Sequence, residues 1–590
     1  MFSRQALRKR ARSAACQWVA GSLFVYAVAA TVAVLPAAAA EPNQDALLQA
    51  QLAAGEFAPA LTLARQAAEP GQRDAWLAQI AVAQAQAGAR DASFRSAAEI
   101  SHDRIRKDAL GRITAQPLGG RGGGAQADFD SLINLITSTI QPTTWDATGG
   151  PGSIEPFPTG VSVDAQGVLR PLLTQEGTRR LAGLRAAGAV HGQPVIARRG
   201  STLRMISLPR LEKHVQLLLA AGGQPTEEMH VLTGLRRIKY LFVYPERGDV
   251  VLAGPAGNWY TDRENRIVGA DSGEPVLRLD DLVVVLRHTM STPDARFGCL
   301  INPTQQGLAW LQEFLDESRK SPLRPGQRQA WLEGLRSRLG KQDIEVYGLD
   351  PRTRAARVMV EADYRMKLVG MGLEEGVPGV KSYLELVEVP PGQAPPALGV
   401  LRWWFTLNYQ AVLAAEDHQA FEIRGRGVKV LSENERLTAE GQRIHTGQSE
   451  QWNRQFAQSF TEHFDELCKK YPVYAELRNL FDLALVGALM RAEGLADKAG
   501  WHMTCFGDPA GYPVELGPAP KQVDTVVNCR IINQVHVLAG VSGGVVCQPA
   551  SLVAPGAVET ETSRVVARRR SAGMPKPLPP QAWWWDVDER

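Results

Sequence analysis

The sequence has few of the residues that mark common catalytic and metal centres, and it lacks the spaced motifs of metal and phosphate sites. Its six cysteines and ten histidines are scattered over 590 residues, without an H-E-x-x-H or a pair of C-x-x-C motifs. The G-x-x-x-x-G-K-[ST] loop of phosphate-binding proteins is missing, and Gly370-Met371-Gly372 stands without the rest of a dinucleotide fingerprint. These absences predict no metal site and no cofactor of a recognisable type.

The low cysteine content also excludes a fold held together by disulfides. Five cysteines remain after the first forty residues, an odd number that is small for so long a chain. We predict a three-stranded meander from residues 523–531, 534–539 and 545–547. It would place Cys529 and Cys547 on the outer strands, about 9 to 10 Å apart and beyond the reach of a disulfide. We therefore predict that these two cysteines are not joined.

A histidine is missing where the serine-nucleophile pattern of this chain would need one. Gly540 to Gly544 fits G-x-S-x-G and follows a predicted strand, as in a nucleophile elbow. The residues after it do not open a helix, and no histidine lies downstream of Ser542, where that fold places its base. We interpret the pattern as a Ser/Gly turn between strands. Ser542 stays a catalytic candidate only if an upstream histidine, such as His502 or His536, serves an unfamiliar fold.

Basic residues are in excess only because of the N-terminus. Five Lys or Arg residues, an apolar stretch from Trp18 to Leu35 and four alanines ending at Ala40 form the three-part layout of a secretory signal. We predict cleavage between Ala40 and Glu41, with an uncleaved membrane anchor as the alternative. Cleavage changes the balance from 65 basic against 62 acidic residues to 60 against 62, a net charge of −2. We therefore expect a secreted or periplasmic protein with no nucleic-acid partner and no membrane contact after processing.

Two short regions follow the signal. Residues 41–116 are rich in alanine, and two stretches align at an offset of 33 residues with Gly55 over Gly88, which resembles tetratricopeptide-type helical hairpins. Residues 117–159 combine a Gly-rich linker with a short helix and a loop around Trp145. We expect a protein partner to dock on the helices or on the Trp145 segment. The alternative is a helical hairpin without a binding function.

The remaining residues predict an α+β fold with a mixed body of hairpins and helices. We divide this body into two halves, 160–390 and 391–553. Its clearest signals are a β-hairpin over 238–253 and an amphipathic helix that begins near Leu279. We predict a second hairpin from residues 344–349 and 357–362, because a turn-forming stretch separates them.

The tail, residues 554–590, is rich in Pro, Arg and Ser and is predicted to be disordered. It ends in Trp583-Trp584-Trp585-Asp586. Three exposed tryptophans are costly in water, so the alternative is a tail that docks back or onto another protein.

Several phrases of the body occur together in one order. They are YLFVYPERGDVVLAGPAGNW, GEPVLRLDDLVVVLR, EADYRMKLVGMGLE, RWWFTLNY and GVSGGV. Together they resemble a large secreted domain of unknown function that is common in planctomycete-type bacteria, over residues 160–549. The Trp145 segment is also similar to a short run in secretin-type export proteins of such bacteria. These resemblances imply no activity and no catalytic residue.

One polar cluster is a candidate binding site. Four charged residues alternate along EADYRMKL: Glu361, Asp363, Arg365 and Lys367. A strand would place all four on one face. If that face is enclosed, with Trp259 or Trp404 nearby, it forms a site for a polar ligand. The alternative is an exposed ladder of solvated charges.

Three functional hypotheses follow. The first is an exported interaction or scaffold protein that uses the N-terminal helices or the Trp145 segment. The second is a polar-ligand binding protein that uses the Glu361–Lys367 face. The third is a hydrolase of unfamiliar arrangement that uses Ser542 or a pair of carboxylates. Because no assembled catalytic motif is present, the sequence favours the first of these hypotheses.

Overall fold

The structure is a computed structural model that describes most of the chain after residue 43. The described residues are 44–54, 56–86, 89–115, 153–157, 160–164, 197–319, 328–388, 399–438, 443–532, 535–574 and 582–587. The predicted signal with its Ala40–Glu41 cleavage site, the Gly-rich linker and the Trp145 segment lie outside them. No helix in the described part of the chain is both long enough and apolar enough to span a bilayer.

The N-terminal region is all helical, as its composition predicts. Its helices are α1 (Gln44–Ala54), α2 (Phe57–Gln66), α3 (Pro70–Gln86), α4 (Arg90–Glu99) and α5 (Asp103–Thr114). They enclose a small core around Trp76 and Ile80, and Trp76 Nε1 donates a hydrogen bond to Asp45 Oδ1 at 2.6 Å. A tetratricopeptide-type repeat remains a prediction for this region.

The body is built on a large mixed sheet. Its strands are β3 (Ser201–Ser207), β4 (Tyr240–Tyr244), β5 (Asp249–Ala256), β8 (Phe297–Pro303), β9 (Lys341–Tyr347), β10 (Gly399–Ala414), β11 (Ala420–Leu437), β12 (Arg443–His445), β13 (Gln522–Asp524), β14 (Val527–Ile532), β15 (Val535–Cys547), β16 (Val558–Thr560) and β17 (Trp584–Asp586). The main path runs β13-β9-β8-β15-β10-β11-β4-β5-β3-β17, with β12, β14 and β16 paired at its sides. Two further hairpins stand apart: β1 (Ser153–Phe157) with β2 (Gly160–Asp164), and β6 (Trp259–Thr261) with β7 (Ile267–Gly269).

Helices cover this sheet, which confirms the α+β class. They are α6 (Leu208–Ala220), α7 (Glu227–His230), α8 (Leu279–Ser291), α9 (Gln305–Arg319), α10 (Arg328–Leu339), α11 (Arg354–Gly370), α12 (Tyr383–Leu386), α13 (Gln451–Glu462), α14 (Phe464–Lys470), α15 (Pro472–Ala492), α16 (Leu495–Lys498) and α17 (Val565–Gly573). Helix α15 is central: nearly all of its side chains are buried, because it packs against α8, α11 and α14. Apolar faces of sheet and helices meet in one large core.

The first predicted hairpin is confirmed. Strands β4 and β5 pair antiparallel from Tyr240↔Ala253 to Tyr244↔Asp249. The turn needs Gly248, whose φ of +63° lies in the left-handed region that glycine tolerates best. The predicted helix near Leu279 is also present as α8.

The second predicted hairpin is wrong. Residues 344–347 belong to β9, but residues 357–362 lie inside α11. Thr353 caps this helix, because its side chain accepts a hydrogen bond from the backbone N–H of Ala356 at 3.3 Å. Buried residues then recur three and four positions apart, as in Ala355, Val358, Met359, Ala362 and Met366, which favours a helix over a strand.

The predicted C-terminal meander is wrong as well. A single strand, β15, runs through residues 535–547 and pairs with β14 only over its first part. Cys529 faces Leu538 in this register, so Cys547 lies nine residues farther along, about 30 Å away at 3.3 Å per residue. Cys547 is a free, buried thiol.

The described part of the tail is docked, which corrects the predicted disorder there. Strand β17 pairs with β3, placing Trp585 opposite Met205 and Asp586 opposite Arg204. Trp583 and Trp585 are 7% and 8% exposed, so two of the three tryptophans are removed from water.

Candidate ligand-binding cavity

A cavity of about 520 Å³ runs along one side of α11. The helix contributes a stripe of lining residues three and four positions apart: Arg354, Arg357, Val358, Glu361, Tyr364, Arg365 and Leu368. From Arg354 to Leu368 the stripe covers fourteen residue-to-residue rises, or about 21 Å at 1.5 Å per residue. The site is therefore an elongated groove whose floor is one helix face.

Other elements supply the walls of the groove. They contribute Glu264, Asn265 and Arg266 from the β6–β7 connection, Arg278 and Asp280 at the start of α8, Glu374 after α11, Glu476 on α15, Glu515 from the segment that leads into β13, and Val523 on β13 itself. The lining thus carries five arginines and six carboxylates. Tyr364 also lines it, but burial raises the pKa of this phenol to about 12, so it stays protonated near neutral pH.

One wall is closed by a network of ion pairs. Arg354 bonds to both Asp281 and Glu476, and Arg266 bonds to both Glu476 and Glu361. Burial alone would lower the pKa of Arg266, but the Glu476 and Glu361 carboxylates outweigh it and raise that pKa. These arginines have their partners within the protein and serve to hold the helices in place.

Two further arginines have no such partner. Arg278 precedes α8 and makes no side-chain hydrogen bond or ion pair with the described residues. Arg357 donates one hydrogen bond, to the backbone oxygen of Arg352 at 3.0 Å, and pairs with no carboxylate of the described chain. Burial lowers the pKa of both, and the nearby Arg354 guanidinium lowers it further. The three cations repel one another, so an anion between them would be stabilised.

Acidic groups surround these arginines without contacting them. Burial raises the pKa of Glu515, and the neighbouring Asp280 carboxylate adds to this effect. Asp280 Oδ1 accepts a hydrogen bond from Tyr512 at 2.7 Å. Toward the other end of the groove, Glu374 Oε2 is buried without a hydrogen-bond partner, and Arg365 lies 3.9 Å from it. The groove therefore offers separated acceptor and donor positions, and its lining holds no serine, cysteine or histidine.

The four alternating charges of the sequence divide between two faces. Glu361 and Arg365 line the cavity. Asp363 and Lys367 are fully buried on the opposite side, where Lys367 Nζ lies 2.6 Å from Asp363 Oδ2 and 3.3 Å from the backbone oxygen of Ile301. The predicted strand is wrong, because a helical turn rotates residues i and i+2 onto different faces.

The two candidate tryptophans lie away from this site. Trp259 is 3% exposed, donates a hydrogen bond to Glu227 Oε1 at 2.8 Å and carries the Arg198 guanidinium 4.3 Å above its ring. Trp404 is half-buried on β10 beneath Arg402, whose guanidinium lies 4.7 Å from the ring. Both contacts explain these residues without a ligand.

Ser542 lies within a strand, so its interpretation as a turn is wrong. It is 2% exposed, and its hydroxyl donates to Leu401 O at 3.4 Å and Glu435 Oε2 at 3.2 Å. His536 is on the same strand, six residues or about 20 Å away. The backbone N–H of His502 instead donates to Asp103 in the N-terminal helices. The hydrogen bonds of Ser542 therefore stabilise strand packing.

Arg278 and Arg357 were not among the site residues predicted from the sequence. The sequence contained one usable signal, the Thr353 cap, which identifies α11 and places Arg357 on the same stripe as Glu361 and Arg365. Nothing in the sequence indicates that an arginine will lack a carboxylate partner, since the partners come from distant elements.

The segment that contains α11 matches a known family. A family model described as a protein of unknown function, DUF1598, covers residues 299–383, from within β8 to the first residue of α12. Residues 299–383 are a DUF1598 domain. No curated protein and no solved structure matches the chain.

The DUF1598 domain therefore carries the floor of the groove, whereas Arg278, Glu476 and Glu515 come from outside it. This match confirms the expected relation to a domain of unknown function for these residues. The wider similarity over 160–549 and its bacterial source remain predictions.

Proposed function

We propose that the protein binds a small organic anion, whose carboxylate or phosphate group is held by Arg278 and Arg357 in the groove along α11. One observation carries this proposal: both guanidinium groups line the groove without a carboxylate partner among the described residues. A buried or half-buried arginine is normally paired, because an unpaired charge away from water is costly. A ligand anion would supply the missing partner.

The rest of the groove restricts the ligand. A volume of about 520 Å³ is in the range of small-molecule sites. Six carboxylates against five arginines in the lining disfavour a polyanion, because its further charges would meet like charges. We therefore expect one acidic group at the Arg278–Arg357 end and hydroxyl or ammonium donors toward Glu374. Export, which residues 1–40 predict, would place such a binding protein where it meets external solutes.

The other hypotheses receive less support. The N-terminal helices already use part of their surface against α6, since Arg106 Nε donates to Gln216 Oε1 at 2.9 Å. A partner on the remaining surface, or on the Trp145 segment outside the described residues, stays a prediction. A hydrolase using Ser542 gains no support from the hydrogen bonds of that buried hydroxyl.

The proposal is tested by ligand identification and by substitution. Native mass spectrometry of the purified chain, followed by calorimetric titration with amino acids, sugar acids and sugar phosphates, should find at least one acidic compound that binds. The variant R278Q/R357Q should bind that compound at least about 100-fold more weakly, because it loses two charge-assisted hydrogen bonds of about 1.5–3 kcal/mol each.

The matched control is R424Q. Arg424 is exposed, pairs with Glu422 at 2.9 Å and lies on β11 away from the groove. It should bind like the parent protein. Failure of every acidic compound to bind, or equal binding by R278Q/R357Q with an unchanged melting temperature, would contradict the proposal.

A further inference from the structure

Three potential metal ligands meet where the N-terminal helices touch the body. His102 and Asp103 open α5, and His502 lies in the loop after α16. One side-chain ligand atom from each residue lies within 4.8 Å of the other two. The residues come from segments about 400 positions apart, so only the docked fold brings them together.

The geometry orients this cluster before any ion binds. Asp103 Oδ2 accepts a hydrogen bond from the backbone N–H of His502 at 2.9 Å, and Asp103 Oδ1 accepts one from the backbone N–H of Arg104 at 2.8 Å, so two hydrogen bonds orient the carboxylate. His102 Nδ1 lies 3.9 Å from Asp103 Oδ1, and the two imidazole centroids are 5.7 Å apart. Asp103 is 5% exposed, whereas His102 lies at the surface, so a small ion can reach the cluster from solvent.

No ring nitrogen of His102 or His502 forms a hydrogen bond with another described side chain or carbonyl. Two imidazoles and one carboxylate are a donor set that suits zinc and similar divalent metals. Tetrahedral coordination needs ligand atoms somewhat closer than 4.8 Å, and rotation of the exposed His102 side chain can supply that movement.

We propose that His102, Asp103 and His502 form a site for a divalent transition-metal ion of the zinc type, which ties α5 to the loop after α16. The nearby ion pair between Lys107 and Asp508, at 3.0 Å, crosses the same boundary. Because two ligands come from one side of the boundary and one from the other, the bound ion would hold the N-terminal helices on the body.

A second cluster provides a comparison within the same chain. Glu433, Glu435 and His445 also lie close together. There, however, Arg402 pairs with Glu433 at 3.1 Å and Arg443 pairs with Glu435 at 3.2 Å. These guanidinium groups already neutralise the carboxylates and would repel a dication, so we expect no metal at this cluster.

The test uses the full chain without a histidine tag. Calorimetry with Zn²⁺ and absorption spectroscopy with Co²⁺ should show one site in the parent protein. H102A and H502A should each weaken Zn²⁺ binding at least about tenfold, because each removes a ligand of a three-ligand site. Added Zn²⁺ should raise the melting temperature of the parent but not of H102A/H502A.

H445A is the matched control, and it should bind Zn²⁺ like the parent. Far-ultraviolet circular dichroism checks that each variant is folded. The absence of a Zn²⁺ site in the parent, or its loss in H445A and retention in H102A/H502A, would overturn the proposal.

Discussion

Within α11, four charged side chains form two pairs whose surroundings differ completely. Lys367 and Asp363 are both 0% exposed and lie between the helix and β8. Glu361 and Arg365 face the groove and remain partly exposed. Burial raises the pKa of Asp363 and lowers that of Lys367, and each partner opposes the shift of the other. The same four-residue spacing therefore gives two different pairs. In the buried pair each charge depends on its partner, whereas in the partly exposed pair it does not.

The first prediction concerns the buried pair. K367M should lower the free energy of unfolding of the body by about 3–5 kcal/mol, because it leaves the Asp363 carboxylate buried without a counter-charge. The double variant D363L/K367M should recover most of this loss, since apolar residues of similar size often replace a buried pair at little cost. Urea unfolding followed by tryptophan fluorescence measures both effects.

R365M is the control on the same helix. Its side chain faces the groove, so the expected loss is below about 1 kcal/mol. Equal losses in K367M and R365M, or no recovery in the double variant, would show that the buried pair does not have this role.

At the residue scale, the sequence shows which residues of α11 are charged, but it does not show what each charged side chain contacts. Glu361 and Arg365 line the cavity, whereas Asp363 and Lys367, which were predicted on the same face, are buried on the opposite side of the helix. Eight residues of alternating charge match a strand as well as a helix. Only the longer window from Thr353 to Gly370, with its cap and its apolar period, distinguishes the two.

Among the elements, helix α6 is the one that packs against the N-terminal helices. Its N-terminus was predictable from Ser207 and the proline that follows in the first turn. In the structure, the Ser207 side chain accepts a hydrogen bond from the backbone N–H of Arg210 at 3.3 Å. Its partner was not predictable, since Leu217 and Ala220 pack on helices more than a hundred residues earlier in the chain. Periodicity identifies an apolar face but does not identify what covers it.

The second prediction concerns Lys213 on this helix. Burial and the nearby Arg106 lower the pKa of Lys213 to about 8 from an unperturbed 10.5. Between pH 8 and 10.5 the unfolded chain therefore binds more protons than the folded chain, so this residue makes stability rise with pH in that window. Below pH 8 the buried charge is a cost, of about 3 kcal/mol at most for a shift of this size.

K213M should therefore have a higher melting temperature than the parent at pH 7, and the difference should shrink as pH rises from 8 to 10. The Ile100 carbonyl that accepts from Lys213 at 3.2 Å keeps its hydrogen bond from Arg106 at 3.1 Å, so the substitution leaves no acceptor unpaired. K521M, at an exposed lysine, is the control. A K213M difference that stays constant over this pH range would contradict the prediction.

For the whole molecule, the C-terminal residues complete the sheet. Strand β17 covers the edge of β3, and Val587 N donates to Leu203 O at 3.0 Å to continue the pairing. The tryptophans indicated docking, but the sequence did not reveal Arg204. Its fully buried guanidinium is paired with Asp586 through two hydrogen bonds of 2.8 and 2.9 Å. Because Arg204 and Asp586 lie far apart in the chain, no local sequence pattern indicates that they pair.

The third prediction follows from this closure. A chain that ends at residue 581 should have a lower melting temperature, because Arg204 loses its carboxylate and Trp585 no longer covers the sheet. The truncated chain should also associate at high concentration, since β3 then presents an unpaired edge. A synthetic peptide of residues 582–590 should restore the melting temperature and the elution volume in size-exclusion chromatography. The same peptide with Asp586 replaced by Asn should restore them poorly, and a truncated chain that behaves like the parent would show that β17 contributes little to the fold.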